Sequence, residues 1–346
     1  MKNKIFRAFT VSLLLLSLTA LSLATKGEKE KHQGNQLVSL LPASDAVVVF
    51  DVKRFFSSSL PQIMTANQPL MSDITAKLDE LQQRTGIDIR QFESVAAGLA
   101  MKAVGPKETD YDPVIIARGT MPAGGLVAVV KLASNGTYKE EKIGTRTVYI
   151  FSAKDIAQKQ VQVGNSKITG SIDRAISGLH EVAVTAIDNN TLAFGSVARV
   201  RQAVAGTTHV DAELSNLLGR HPGTLASFAA KTPSGLGQFL PLENDELGKT
   251  MNSVRFLAGS MDVTEGQAVL DVMARTISTE SAQSLLDTLQ GLQTIGKAFL
   301  GGAKGPEKAV YARMIDNAKF ARNNNEVTLD LAVPQSDIDI LIGSIK

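Results

Sequence analysis

Ala46-Val47-Val48-Val49-Phe50-Asp51-Val52 is a run of mostly β-branched and apolar residues. Its length and composition suit a buried strand rather than a helix. Leu41-Pro42-Ala43-Ser44-Asp45 leads into it with turn chemistry. Much later, Pro222-Gly223-Thr224 leads into Leu225-Ala226-Ser227-Phe228-Ala229-Ala230 in a similar way. Two such units in one chain point to two related α+β halves. Everything before residue 40 reads as delivery equipment.

That leader has three parts. Lys2, Lys4 and Arg7 give a positive start, residues 11–23 are largely apolar, and Ser22-Leu23-Ala24 supplies small residues at the positions a signal peptidase reads. The pattern is that of a secretory signal peptide over residues 1–24, cleaved after Ala24. Its apolar core falls short of the roughly 20 residues needed to span a bilayer, so no stable transmembrane segment is expected after cleavage. The chain has no cysteine, which excludes a lipidated cleavage site, disulfides, thiolate-bound zinc and thiol catalysis. The expected location is periplasmic or extracellular.

Charge must be read without the leader. Removing Lys2, Lys4 and Arg7 leaves 33 basic residues against 34 acidic, a net charge of −1. A nearly neutral chain has no electrostatic reason to hold nucleic acid or an anionic membrane. The absence of tryptophan and a 5% aromatic content argue against sugar stacking.

Residues 25–36 alternate charges with nothing apolar to pack, so a disordered tether is expected, giving way to order near Leu37 and complete by residue 39. Beyond it, periodicity assigns a short helix at 53–63 and a helix after Pro69 carrying Met71, Ile74, Leu78 and Leu81. Strands are expected at 92–101 and 113–118, joined by a polar loop at 105–112, with a helix at 122–132. Hairpins follow at 138–151, around Gly144-Thr145, and at 182–194, around Asp188-Asn189-Asn190. Val197, Val200 and Val204 mark a helix ending at Gly206, and 212–218 another.

In the second half the pattern gives a strand at 225–230 and a short turn or helix at 235–240. A hairpin at 254–276 follows, then a leucine-rich helix capped by Ser278 and a helix opened by Pro306. A strand at 327–333 and a terminal helix from Ser336 close the chain. Both halves therefore run strand, helix, strand pair, helix, strand or strand pair, helix. Hairpins dominate the connections, so the expected class is α+β with mainly antiparallel sheets and packed helices. The expected division is 40–221 for the first half and 222–346 for the second.

Catalytic signatures are sparse. His32, His180, His209 and His221 never take a metal-binding spacing, so no metal and no cofactor is expected. Gly-x-Ser-x-Gly and Ser-x-x-Lys are absent. Gly301-Gly302-Ala303-Lys304-Gly305 lacks the ending of a phosphate loop and the strand before it. No catalytic residue can be assigned, and binding residues stay unassigned.

Three acids stand in apolar company: Asp51, Asp262 and Asp330. Two of them facing one cleft could perform acid–base chemistry. Strand alternation instead turns such residues outward or leaves them at strand ends. Arg118 and Arg146 sit at strand ends, where an arginine can bind a carboxylate bidentately or pair with an acid of its own sheet.

The Leu-Pro-Ala-Ser-Asp-Ala opening at 41–46, then Thr85-Gly86-Ile87-Asp88-Ile89, then Ile116-Ala117-Arg118-Gly119-Thr120, resembles a group of uncharacterised exported bacterial proteins, acidobacterial in type, with duplicated domains of unknown function. The resemblance spans residues 40–334. It implies a signal-bearing bacterial α+β protein and carries over no site residues.

Three readings follow. The first is an exported non-enzymatic binding or envelope-scaffold protein, contacting an envelope or extracellular protein through a sheet edge or a groove between halves. The second is a hydrolase using Asp51, Asp262 or Asp330. The third is a carrier of an apolar ligand beneath the helix at 282–300.

Overall fold

The computed structural model describes residues 33–105, 108–134, 136–153, 179–232, 245–264, 266–300 and 305–344. The expected turn or helix at 235–240, the leader at 1–24 and His32 lie outside them. The chain forms two compact units: one from Lys31–Lys53 and Asp73–Gly219, the other from Arg54–Ser72 and Arg220–Lys346.

The first unit opens with α1 (Gln33–Val38), a helix inside the stretch expected to be a disordered tether at 25–39. Leu37 is 0% exposed, and Val38 and Leu41 are also buried. α1 packs against the first strands of the sheet. Three apolar side chains among polar ones make too weak a stripe to register as a helix, yet they suffice once a sheet is there to receive them.

β1 (Ala46–Asp51) then enters the sheet, followed by a broken helical stretch over 52–66 and by α2 (Gln68–Thr85). β2 (Phe92–Gly105) and β3 (Glu108–Gly119) form a long hairpin. The polar loop expected at 105–112 is largely strand, because the ladder continues through Ala100–Asp112 and Met101–Tyr111. Polar side chains are no obstacle to a ladder whose bonds are made by the backbone.

α3 (Ala123–Ala133) follows, then β4 (Lys139–Ile143), β5 (Arg146–Ser152), β6 (Glu181–Ala186), β7 (Thr191–Ser196), α4 (Val197–Ala205) and α5 (Ala212–Leu218). The strands are antiparallel in the order β1-β2-β3-β7-β6-β5-β4. On one face α3 seats Leu126 and Val127 against Phe151, Val182, Val184 and Leu192. On the other, α4 packs against β5, β6 and β7 with Val200 and Val204 buried. Ser196 caps α4 by accepting from the Arg199 N–H, and Gly206 closes it in the left-handed conformation.

The second unit contains β8 (Ala226–Lys231), α6 (Asp245–Asn252), β9 (Val254–Thr264), β10 (Gln267–Thr276), α7 (Thr279–Leu300), α8 (Pro306–Asn317), β11 (Lys319–Asn323), β12 (Glu326–Pro334) and α9 (Gln335–Gly343). Its strands are antiparallel in the order β8-β9-β10-β12-β11. One face is covered by α7, whose Ala282 and Leu285 are buried with Val254 and Val327.

The two units share a topology. The order β1-β2-β3-β7-β6 repeats as β8-β9-β10-β12-β11, and the β4-β5 hairpin is an addition to the first. In both, the strand before the last shared helix runs into it without a loop: Ser196 precedes Val197 as Pro334 precedes Gln335. Three residues past each of those strand ends stands a charged residue only 4% exposed, Arg199 in one copy and Asp337 in the other. The likeness of the two units is thus one of strand order.

The units depart from the expected halves, 40–221 and 222–346, by the segment Arg54–Ser72, which belongs to the second unit. Side-chain bonds tie it there. Arg54 donates to the Gly223 carbonyl and to Asp262, Asn67 donates to the Ile342 carbonyl, and Gln335 donates to the Gln62 carbonyl.

Candidate functional site

The three acids do not converge. Asp51 is half-buried at the end of β1, opposite Ser94, in the first unit. Asp262 and Asp330 share one face of the second sheet, since register runs Asp262 to Val269 and Asp330 to Asp271. Two strand spacings and one two-residue step separate them, roughly 12 Å. That is wider than the roughly 5–9.5 Å at which a carboxyl pair handles one bond.

Asp262 also departs from the outward placement expected of it. Its side chain is 20% exposed and takes the Arg54 guanidinium at 2.5 Å. Burial nevertheless pushes its carboxyl above the usual range, with Arg54 as the main opposing influence. Asp330 is exposed, as alternation predicts.

The same face carries a constellation that sequence reading passed over. Register sets Ser227, Ser260, Asp271, Asp330 and Lys319 side by side across β8, β9, β10, β12 and β11. His221 Nε2 lies 3.1 Å from Asp271 Oδ1. Asp271 is raised above 3.8, first by burial and then by hydrogen-bond contact with the Asp330 carboxyl, while His221 pulls it down. Nearby, Arg220 grips Glu326 through both terminal nitrogens at 2.9 Å, and Arg275 adds a third contact at 2.8 Å. Asp271 sits in Ala-Val-Leu-Asp-Val-Met, the same apolar company that singled out Asp330. Only the register shows that the two acids are opposite each other.

A titration checks this pair. Asp330→Asn removes a like charge and presents an amide donor, so the pKa of Asp271 is expected to fall toward 3.8. It should remain raised, because burial is the larger cause. The sign for stability follows from proton uptake. A raised folded pKa means that the folded state binds more protons, so this contribution is present below 3.8 and is lost as pH rises through the folded value. Carboxyl-detected NMR of Asp271 in both proteins reads the shift directly, and an unmoved Asp271 refutes the coupling.

The strand-end arginines differ from each other. Arg118 donates to the Thr191 hydroxyl at 3.1 Å and to Gln36 at 3.1 Å; the nearby Asp188 is held low, against its burial, first by the Asn190 N–H and then by Thr191, with the charge of Arg118 adding least. Arg146 donates from Nε to the Ile187 carbonyl at 3.1 Å and from Nη1 to the Val204 carbonyl at 3.3 Å. The second bond places it on the last turn of α4, where a cation is favoured. Among the described residues it has no carboxylate partner.

Arg146 lines a cleft of about 360 Å³ on the first unit. α3 supplies one wall with Gly124, Val127, Ala128 and Lys131; β5 and the turn before it supply Thr145, Thr147 and Tyr149. Lys131 is positioned by aromatic rings. Its ammonium lies 4.7 Å from the Tyr138 ring centroid and 4.3 Å from that of Tyr149, and the two rings meet edge to face at 5.9 Å. An ion pair to Glu140 at 3.3 Å completes its surroundings. Contact with Tyr138 is the largest influence raising its pKa, so it stays charged. A second groove, about 500 Å³, is lined by Val38, Ser39, His209, Val210, Ser215 and Leu218.

The helix expected to cover an apolar ligand behaves in two ways. The first half of α7 closes on the sheet with Leu285, Leu286 and Leu289. Its second half exposes Leu292, Ile295 and Phe299 at 48%, 66% and 77%. The outer strands are charged: β4 carries Lys139, Glu140, Glu141 and Lys142, and β11 carries Lys319 and Arg322. Such charges discourage a foreign strand from adding to the edge. Among the described residues no helix is long and apolar enough to cross a membrane.

No family model matches the chain, and no curated protein matches it. Among solved structures, crystal forms III, IV and I of TP0453 align over 89% of this chain and 98%, 96% and 96% of theirs, at 10%, 9% and 10% identity, each with a TM-score of 0.42.

Proposed function

We propose that this chain is an exported, non-enzymatic binding protein that holds a small molecule in the cleft between α3 and β5. Export is supported by the charged start, the apolar run at 11–23 and the Ser22-Leu23-Ala24 ending. The cleft itself carries the reading. Its volume of about 360 Å³ lies within the range of small-ligand sites. Its walls combine apolar surface with a few polar groups, and both walls are regular elements packed on the Phe151 cluster, so the site is formed before a ligand arrives.

A thermal-shift screen of the mature protein against a small-molecule library, followed by hydrogen exchange with each hit, tests this. At least one compound is expected to raise the melting temperature and to slow exchange in α3 and β5. A library without hits, or protection confined to other elements, refutes it.

Asp271 and Asp330 favour a second reading, acid–base hydrolysis on the second unit. The two residues are directly opposed and their carboxyls are in hydrogen-bond contact, so the pair can share one proton, and Asp271 is raised as a general acid requires. Hydrolysis of an ester or glycoside panel that Asp271→Asn abolishes would establish it; turnover unchanged in that variant would remove it.

A further inference from the structure

The cleft between α3 and β5 has an unbalanced lining. Lys131 contributes a positive charge, Thr145 and Thr147 contribute hydroxyls, and no acid is among the lining residues. Arg146 borders the cleft, but its guanidinium is turned to the carbonyls of Ile187 and Val204, toward α4. Lys131 has one acid neighbour, Glu140, but that carboxylate is 51% exposed. Exposed pairs of this kind contribute little and exchange readily for a better anion. The two tyrosines hold the ammonium at the cleft wall even when Glu140 leaves. The rest of the lining, Val127, Ala128 and Ala186, is apolar.

We infer that the ligand of this cleft is a small organic anion, with a carboxylate or phosphate group taken by Lys131 and an apolar body lying against Val127, Ala128 and Ala186. This deepens the binding reading above and rests on it. Thr145 and Thr147 donate to the remaining oxygens of the anion. The cleft volume admits a single-ring ligand.

Isothermal titration of the mature protein with four probes tests the inference: phenyl phosphate, benzoate, phenol and inorganic phosphate. At least one of the two ring anions is expected to bind on the order of tenfold more tightly than phenol and than inorganic phosphate. Whichever of phenyl phosphate and benzoate binds better identifies the headgroup. Lys131→Met keeps the aliphatic stem and should weaken that probe by about tenfold. Arg146 also holds the end of α4, so its removal risks the fold. Thr147→Val and Gly124→Leu are used instead, the latter because a Cβ at Gly124 meets nothing within 4 Å and a longer side chain there enters the cleft. Both should weaken binding without lowering the melting temperature of the free protein. Phenol binding as tightly as the anions, anion binding unchanged in Lys131→Met, or no binding by any probe overturns the inference. The first two results leave the small-molecule reading standing, and the library screen judges that reading separately.

Discussion

Gly195→Ala is expected to destabilise the first unit by about 3 kcal/mol, combining backbone strain with overpacking. Gly195 lies in β7 between two partners, opposite Val114 of β3 and Ala183 of β6. Its φ is +156°, where a side chain is strained, and an added Cβ would approach the Pro113 carbonyl oxygen and the Val114 Cα at 2.8 Å or closer. Those are backbone atoms of a paired strand, so neither can step aside without breaking the ladder. Urea unfolding followed by circular dichroism gives the cost as a lowered midpoint. Gly124→Ala is the control: it stands in α3 with open space around it, and alanine there should stabilise by about 0.5–1 kcal/mol. Equal effects at the two sites would refute the account of Gly195.

Leu37→Ala is expected to cost about 3 kcal/mol, the usual effect of emptying a buried leucine site. Leu37 is 0% exposed and α1 rests on the first three strands. The same variant in a disordered tether would change nothing measurable. The experiment therefore decides where the folded protein begins. Neighbouring Gln36 is exposed, and Gln36→Ala loses little beyond its bond to Arg118, which serves as the local comparison.

The fold class was open to sequence reading because its signals are local. Val47 and Val49, Leu285 and Leu289, and Val200 and Val204 announce strand or helix through spacing alone. The shared element order of the two copies could be read for the same reason. The small elements escaped. β11 is a five-residue strand with three exposed charged or amide side chains, Lys319, Arg322 and Asn323, and only pairing with β12 makes it a strand. α1 depends likewise on the sheet beneath it.

The candidate sites were less legible, because register joins residues that the sequence keeps far apart. Asp271 and Asp330 are 59 positions apart in the chain and directly opposed in the sheet. Asp262 found its cation in Arg54, from a segment assigned by sequence to the other half. Arg146 was singled out by its place at a strand end, with a carboxylate as its expected partner. That it holds carbonyls rather than an acid depends on where α4 ends, and no nearby residue encodes that. Lys131 drew no notice, since a lone lysine on a helix is ordinary until two tyrosines from a later hairpin flank it.

The assignment of Arg54–Ser72 to the second unit limits how the chain can be divided. Fragments cut at Gly219 would each be wrong: the front piece would carry a helical stretch with nothing to cover, and the back piece would lack the guanidinium that meets Asp262. Separate expression of the copies should therefore yield soluble material only when a peptide spanning 54–72 is supplied to the C-terminal fragment in trans. Recombination that exchanged one unit at Gly219 would meet the same obstacle.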